Sequence, residues 1–572
     1  MSRKNLIPFV VPFLVLFACG SSDKEQDPNA TTGSTVNRVG KQMPADAAPT
    51  EQQILRQTLA EPSTLDVGIA LFKAQFIAFL FEQLIVFDDN LELKPAAAES
   101  WSVGPDKKIW TIKMRPGGKW SNGQPVTAYD FEWSFQRLLD PASGNVFAYF
   151  YYPIKGARDF NTGKTKDPKT LGIKAVDEMT LTIETEEPVS HFPYILAFFT
   201  SVPAHRGQVE KYGPRWTDPG NCVSNSTWKL ESWKKGQDIT FGLNQEYNGP
   251  FKGYLEQLQF KFVEGGWRGL TAYENNEFDR IGIDGPDFLR AKDDPVLSKE
   301  LNTFPNFGTY YTIFQTTKPP FDNIKVRQAI AHAIDRESIC NIVMSGTATP
   351  AYGMLPKGFP GYQVDRIKPY QAFDIELARK LMAEAGYPNG KGLPKLELWV
   401  RGSPPSPLEQ QAVVAVQEML KENIGVTVEL RNTTTNVFND FMVKHEIPWG
   451  FLWFNMDYPD PSDMIAVPWR SEAAGAGRQD WKDETFDKLV DAAAQEFDET
   501  KRVAMYQQAE EILSRDAAGV FLFNLVNAGL NKPWVKGIDV NKYGDRRWSG
   551  LTPSYAGLYI GKEEGAATRK RD

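Results

Sequence analysis

Asp457 is the acidic residue whose surroundings most clearly point to chemistry. It lies in the stretch LWFNMDYPDP, residues 452–461, among aromatic and apolar residues and directly before a proline-punctuated turn. A carboxylate that is poorly hydrated needs a partner, because desolvation otherwise raises its pKa or destabilises the fold. The candidates are a metal ion, a catalytic proton, an internal Lys or Arg, or a cationic ligand.

The spacing of the acids disfavours a metal site in this stretch. Asp457, Asp460 and Asp463 are three residues apart, whereas a calcium loop places its acids two apart. Pro459 and Pro461 also prevent the helix that would align the three carboxylates. We therefore expect no metal here.

Catalytic signatures are missing from the sequence. It contains no G-x-S-x-G, H-E-x-x-H or C-x-x-C motif, and its 4 histidines occur singly. The segment GARDFNTGKT is not a phosphate-binding loop, because Gly156 and Gly163 are too far apart. We expect no enzyme and no cofactor, with an exported glycoside hydrolase using an Asp/Glu pair as the alternative from another class.

The N-terminus is typical of an exported lipoprotein. A basic start is followed by an apolar run, Leu6 to Phe17, that is too short to span a bilayer. The residues up to Cys19 resemble a bacterial lipobox, which implies that Cys19 is lipidated; a plain signal peptide with an incidental Cys is the alternative. The polar composition of residues 20–50 predicts a flexible tether. We expect a location in the periplasmic space or at the outer face of the cell membrane.

Length and charge limit the possible architectures and partners. A chain of 572 residues exceeds what one hydrophobic core usually holds, so two or more lobes are expected. A net charge of -8 without a long basic run argues against nucleic acid as a partner. Cys222 and Cys340 are expected to be free, buried thiols rather than a disulfide.

The elements that position Asp457 are a mixture of strands and helices. Alternating apolar residues predict strands over 110–114 and 180–184, and Asp322 or Asn323 is a suitable N-cap for an amphipathic helix. Phe486 to Phe497 is also predicted to be helical. The fold class is therefore α/β or α+β.

Ordered blocks of sequence resemble the family 5 extracellular solute-binding proteins, the binding subunits of oligopeptide ABC importers. The blocks are EPSTLD (61–66), FLFEQL (79–84), WTIKMRPGGKWSNGQPVTAYDFEWSFQRLLDP (110–141), LGIKAVDEMTLTIETEEPV (171–189), VPAHRGQVEKYG (202–213), NSTWKLESWKKGQDITFGLNQEY (225–247), PPFDNIKVRQAIAHAIDRESI (319–339), DYPDP (457–461) and FDKLVDAAAQEFDETKRVAMYQQAEEIL (486–513). Phe454 departs from the family, which commonly has Trp three residues before the acid. Phe451 stands where a tripeptide-preferring relative has Arg, so longer or apolar peptides are expected.

The resemblance implies an α/β, two-lobed periplasmic-binding-protein fold (type II, Venus-flytrap) with an extra α+β domain inserted in the first lobe. The expected boundaries are a lipoprotein signal peptide at 1–19, the tether at 20–50, lobe I at 51–88, 201–305 and 509–562, the inserted domain at 89–200, the second lobe at 306–508 and a C-terminal tail at 563–572.

The resemblance also implies a ligand site. In peptide-binding members, the aspartate of W-x-x-D-Y-x-x-P pairs with the peptide α-amino group, and Asp457 occupies that place. Residues 453–455 would offer a strand edge to the peptide backbone. The expected ligand-binding residues are Asp457, Trp453, Phe454, Asn455 and Tyr458. An internal pair between Asp457 and a neighbouring Lys or Arg is the alternative.

The implied partners are oligopeptides, an ABC permease with its ATPase subunits, and a membrane contacted only through the lipid anchor. We expect a monomer. Two alternatives within the same fold remain open, a non-peptide cargo such as a nickel chelate or an oligosaccharide, and a peptide-sensing receptor.

Overall fold

The computed structural model describes residues 36–69, 76–263, 269–402, 407–471, 480–538 and 552–562. Cys19 and the predicted signal peptide lie outside the described residues. Within these ranges, no helix combines the length and the apolar character needed to cross a membrane.

The strands, in chain order, are β1 Ile54–Leu59, β2 Ile85–Phe87, β3 Leu93–Pro95, β4 Ala98–Val103, β5 Ile109–Met114, β6 Ile173–Asp177, β7 Thr180–Glu184, β8 Trp228–Lys234, β9 Asp238–Leu243, β10 Gln257–Phe262, β11 Arg280–Ile283, β12 Leu301–Pro305, β13 Gly308–Phe314, β14 Ala348–Pro350, β15 Leu396–Arg401, β16 Val428–Thr433, β17 Trp449–Asn455, β18 Gly519–Asn531, β19 Val535–Lys536 and β20 Tyr559–Ile560.

The α-helices are α1 Ile77–Leu80, α2 Ala128–Leu139, α3 Ala157–Asn161, α4 Phe192–Leu196, α5 Arg206–Tyr212, α6 Leu270–Glu274, α7 Gly285–Asp293, α8 Leu297–Glu300, α9 Ile324–His332, α10 Arg336–Ser338, α11 Val364–Ile367, α12 Ile375–Glu384, α13 Pro407–Ile424, α14 Thr435–Val443, α15 Val467–Trp469, α16 Glu484–Gln495, α17 Glu499–Arg515 and α18 Thr552–Gly557. Two π-helical turns cover Ile339–Val343 and Ser462–Ala466.

One sheet runs through both halves of the molecule. Its strand order in the described residues is β16-β15-β17-β13-β18-β11-β1-β10-β9-β8, with β12 and β14 also paired to β18. The first part of β18 pairs with β13 and β14, and its last part pairs with β12 and β11. The chain also passes directly from β12 to β13. Among the described residues, two crossings therefore connect the halves, as expected for a two-lobed α/β fold.

The inserted segment, residues 89–200, contains a separate antiparallel sheet in the order β4-β5-β7-β6. Helix α2 lies against β6 and β7 and begins with a capping box in which Thr127 and Asp130 satisfy each other's backbone N–H groups. Phe131 and Phe135 on its apolar face are buried. The segment predicted as an α+β insertion therefore contains its own sheet with a helix packed on it.

Two predicted boundaries differ from the structure. The tether was expected to reach residue 50, yet Val39, Met43 and Ala48 are buried, and Asn37 Nδ2 donates to the Gly253 carbonyl at 2.7 Å. The burial of these apolar side chains and the hydrogen bond of the Asn37 amide together hold this polar segment against the folded body.

The third part of lobe I was expected to begin at 509, inside what is the single helix α17. Ala509, Leu513 and Phe521 instead share a core with Leu452 and Phe454 of β17. A helix face that packs as one unit cannot be divided between lobes, so the crossing lies within β18, near residue 525.

The predicted thiols are unbonded. Cys222 and Cys340 are both free and pack in different cores. Cys340 is fully buried, but Cys222 is only half-buried, which differs from the expectation for that residue.

Candidate functional site

Strand β17, which leads to Asp457, lies inside the sheet of the second lobe. Phe451 packs into one core of that lobe, and Leu452 and Phe454 pack into another. Apolar residues on both faces are typical of a strand that is covered on both sides. The strand is therefore held rigidly up to the residues that precede the acid.

The pairing of β17 with β13 shows which way its backbone groups point. The two strands are antiparallel, and at their ends Met456 N–H donates to the Phe307 carbonyl (2.7 Å) and Gln315 N–H donates to the Pro448 carbonyl (2.9 Å). Hydrogen-bonded and non-hydrogen-bonded pairs alternate along an antiparallel ladder. The even-numbered residues of β17 therefore face β13, and the odd-numbered residues face the opposite edge.

That opposite edge is covered along only part of its length. Strand β15 pairs in parallel with β17 through Val400 and Phe451, its last pair. In the described residues, which omit 403–406, no strand pairs with the edge beyond this point. The backbone groups of Trp453 and Asn455 thus face an edge at which no described strand pairs with them; this part is called the uncovered edge.

The turn after β17 is fixed by two buried acids. Asp463 Oδ2 accepts from the N–H of Asp457 at 2.8 Å. Asp460 accepts from Ser462 N–H and forms a buried ion pair with Arg502, at 3.0 Å between Oδ2 and Nη2. Asp460 and Asp463 are both buried, whereas Asp457 is half-buried. The fixed turn thus holds the backbone of Asp457 two residues beyond the end of β17.

Within the described ranges, no group of three His, Cys, Asp or Glu side chains is arranged to hold a metal ion.

Tyr458 contacts the inserted segment. It is 2% exposed, stacks on His191 at 6.0 Å between ring centroids and meets Phe150 edge-on at 5.9 Å. Its hydroxyl accepts from Ser462 Oγ at 3.2 Å. Burial raises the pKa of Tyr458 and lowers the pKa of His191 to about 4. Tyr458, one of the predicted ligand-binding residues, thus packs its ring against the inserted segment.

The boundary between the inserted segment and the second lobe has a second contact. The backbone N–H and the hydroxyl of Ser190 both donate to the Ala494 carbonyl, at 2.8 Å and 3.0 Å. Ala494 is in the last turn of α16, where backbone carbonyls lack partners within the helix. The uncovered edge of β17 and Asp457 therefore lie close to the interface between the inserted segment and the second lobe.

The remaining predicted residues of this stretch have different environments. Phe454 is buried in the core and its backbone faces β13, so it does not face the uncovered edge. Trp453 is half-buried and stacks on Tyr310 at 5.8 Å. Asn455 is exposed. Of the five predicted ligand residues, Trp453, Asn455 and Asp457 are brought together at the uncovered edge.

Three residues near this edge were not predicted. Arg401 Nη2 donates to the Trp453 carbonyl at 3.0 Å, and its guanidinium carbon lies 3.9 Å from the centre of the Trp453 ring. The Tyr310 hydroxyl donates to Glu409 Oε1 at 2.8 Å, and burial raises the pKa of Tyr310. These residues are distant from Asp457 in sequence, and the only available signal was a charged residue, Arg401, at the end of an apolar strand.

Comparison with known proteins gives concordant results. The family model described as "Bacterial extracellular solute-binding proteins, family 5 Middle" matches residues 92–476. The periplasmic oligopeptide-binding protein OppA of Escherichia coli is 32% identical over 463 residues, which cover 80% of this chain and 84% of that protein. The probable deoxycholate-binding periplasmic protein YgiS of Escherichia coli is 29% identical, with 89% of this chain and 94% of that protein covered.

A solved structure shares the fold. The crystal structure of Haemophilus influenzae OppA in complex with RPPGFSPFR has a TM-score of 0.72 and 27% sequence identity, and the match covers 89% of this chain and 99% of that one. The family model spans more than half of the sequence and the strand arrangement agrees with the two-lobed fold. The chain therefore belongs to the bacterial extracellular solute-binding proteins of family 5.

Proposed function

We propose that this protein is the substrate-binding lipoprotein of an ABC importer, and that it captures oligopeptides between its lobes and delivers them to a membrane permease. The observation that carries the proposal is the uncovered edge of β17 at Trp453 and Asn455, with Asp457 two residues beyond it. An extended peptide that adds to this edge places its amino terminus near Asp457.

Strand addition explains how such a site would accept many sequences. The two outward-facing residues offer backbone N–H and C=O groups, which every peptide can pair with. Asp457 would then recognise the α-amino group through a charge-assisted hydrogen bond. Phe454 and Tyr458 support the edge from the core and from the interdomain contact instead of touching ligand.

The proposal also includes a lipid anchor and the transporter subunits that would receive the peptide. Cys19 would carry the lipid, residues 20–35 would link it to the folded body, and the permease with its ATPase subunits would receive the peptide. The similarity to oligopeptide-binding proteins supports this role. The protein would act as a monomer without covalent chemistry.

A second candidate cargo is a non-peptide ligand. It is favoured by the similarity to YgiS, whose name gives deoxycholate as its ligand. Such a ligand has no backbone to pair with Trp453 and Asn455, and no α-amino group for Asp457. A peptide-sensing receptor, a nickel or oligosaccharide carrier and a hydrolase are further alternatives with no specific support in the site.

The test is native mass spectrometry of the mature body, followed by calorimetric titration of co-purified species. We expect heterogeneous peptides that bind wild type and lose binding after N-acetylation. Asp457→Asn should weaken binding by about 100-fold or more, as expected when one member of a desolvated charge pair is removed. The matched control is Asp440→Asn, because Asp440 is an exposed acid on α14 that pairs only with exposed Lys444 in the contacts described.

Equal binding of free and acetylated peptides by wild type would refute the role of Asp457. Co-purification of a steroid, glycan or metal chelate in place of peptides would refute the peptide cargo and leave the family assignment unchanged.

A further inference from the structure

A cavity of about 540 Å³ lies in the first lobe, where α8 and β12 meet the chain that follows β18. Its described lining includes Val296 and Lys299 on one side, and Lys532 and Val535 on the other. None of the residues assigned above to peptide binding lines it. Sites for small molecules have volumes of this order, so the cavity is large enough for a ligand of its own.

Lys532, which directly follows β18, is the buried cation of this cavity. The residue is 7% exposed, and its Nζ atom lies 4.1 Å from the centre of the Tyr273 ring and 5.6 Å from that of Trp534. The turn is braced by Asp279, whose carbonyl accepts from Lys532 N–H at 2.9 Å and whose Oδ1 accepts from Trp534 Nε1 at 3.0 Å. The ammonium therefore has a defined position against two rings.

The ammonium of Lys532 lacks an acceptor for its N–H groups. Aromatic faces attract the charge, but an ammonium also carries three hydrogen-bond donors. Within the described ranges, Lys532 Nζ forms neither a hydrogen bond nor an ion pair. Burial lowers the pKa of Lys532, and the charges of Glu300 and Glu274 oppose that shift only in part. A buried cation in this state is stabilised by an anion that enters the cavity.

The remaining charges of the cavity favour a phosphate group over a carboxylate. Lys299 and Lys536 also line it, and Glu300 is the only acid of the described lining; three lysines and one glutamate leave two positive charges. Glu300 Oε2 already accepts the Tyr273 hydroxyl at 2.5 Å. Ammonium groups bind phosphate as point charges, whereas a planar carboxylate matches the fork of an arginine. A phosphate monoester carries a charge of about -1.5 to -2 at pH 7, which balances the lining.

We infer that this cavity is a second binding site, which takes the phosphate group of a small phosphate ester or of a lipid headgroup, with Lys532 as its principal ligand-binding residue. Val296 and Val535 provide apolar walls for the carbon part of such a molecule. The inference goes beyond the proposed function and does not depend on it, because the two sites share no residue.

The experiment is calorimetric titration of the full chain with inorganic phosphate, glycerol phosphate, glycerophosphoglycerol and succinate. The ionic strength is kept constant, because salt screens exposed charges. Lys532→Met removes the buried charge and keeps a flexible apolar side chain against the rings. Lys299→Glu changes an exposed residue of the cavity, and Lys444→Glu is its matched control, because Lys444 is an exposed lysine on the second lobe. Circular dichroism checks folding.

We expect wild type to bind at least one of the phosphate probes more tightly than succinate. Lys532→Met should weaken that binding by about tenfold or more, because a charge-assisted hydrogen bond is lost. Lys299→Glu should weaken it as well, and Lys444→Glu should bind as wild type does. Tighter binding of glycerol phosphate than of glycerophosphoglycerol assigns a free phosphate ester, and the reverse order assigns the phosphodiester of a lipid headgroup.

Three results would overturn the inference. Wild type could bind none of the phosphate probes, it could bind succinate most tightly, or Lys532→Met and Lys299→Glu could both retain the wild-type affinity for phosphate probes. The peptide affinity of Lys532→Met should equal that of wild type in every case. Failure of the phosphate site is therefore distinguishable from failure of the proposed peptide site.

Discussion

The buried ion pair between Arg502 and Asp460 allows a quantitative test of how the turn that carries Asp457 is held. The Asp460 Oδ2 and Arg502 Nη2 atoms are 3.0 Å apart, and the two side chains are 1% and 7% exposed. At an effective dielectric constant of about 20, unit charges at this distance attract by about 5 kcal/mol. Much of that attraction offsets the desolvation of both ions, so the net value of the pair is far smaller.

Arg502→Met should therefore lower the free energy of unfolding by about 3 to 5 kcal/mol, because Asp460 would remain charged, buried and without its cation. The double variant Arg502→Met/Asp460→Asn should recover at least about 2 kcal/mol of this loss, since it removes the buried charge. The amide oxygen introduced at position 460 would keep an acceptor for the Ser462 N–H, which now donates to Asp460 at 3.0 Å.

Urea denaturation at pH 7, followed by tryptophan fluorescence and circular dichroism, measures these differences. Lys444→Met is the matched control, because its pair with Asp440 has side chains that are 55% and 56% exposed, and exposed pairs contribute about 0 to 1 kcal/mol. If Arg502→Met costs less than about 1 kcal/mol, or if the double variant is no more stable than Arg502→Met, the ion pair does not stabilise the turn in the way described.

Three further predictions concern buried groups. Burial raises the pKa of Glu510 to about 7, so the free energy of unfolding should fall by roughly 3 kcal/mol as pH rises from about 4.5 to 7. Denaturation curves of Glu510→Gln at several pH values should lack this decline. An equal decline in the variant would contradict the assignment of the decline to Glu510. Burial lowers the pKa of His191 to about 4, so protonation of the unfolded chain should reduce stability as pH falls from about 6.5 to 4. His191→Phe, which keeps a ring against Tyr458, should remove that reduction, and a pH titration of the urea midpoint checks it. A Cβ at Gly519 would overlap the Thr312 carbonyl oxygen. Gly519→Ala should therefore lower the midpoint of thermal unfolding by an amount equivalent to about 1 to 3 kcal/mol. An unchanged midpoint would show that the sheet accommodates the methyl group.

Elements with local signals were predicted well. The amphipathic helix α9 begins where expected, with Asn323 as the cap that accepts from the Lys325 N–H. Helix α16 covers 484–495 against the predicted 486–497. Periodicity and capping are properties of a few neighbouring residues, so they can be read from the sequence alone.

Boundaries that depend on packing were predicted less well. The chain crosses between the lobes in the middle of a single strand, β18, and no local signal marks that point. The docked segment at 36–48 resembles a linker in composition, and only its contacts with distant residues show that it is ordered. Such features depend on which surfaces meet after folding.

The candidate site likewise has some features that the sequence predicts and others that only packing decides. The sequence by itself indicated the family, contained no known catalytic motif and made Asp457 a candidate ligand residue, because these depend on the order of residues along the chain. Only the tertiary structure decided that Trp453 and Asn455 face an uncovered edge while Phe454 faces the core and Tyr458 faces the inserted segment. It also brought Arg401 against Trp453 from 52 positions away. The physical reason is that a strand's backbone direction and its uncovered edge are set by the neighbours with which it pairs, and those neighbours are distant in sequence.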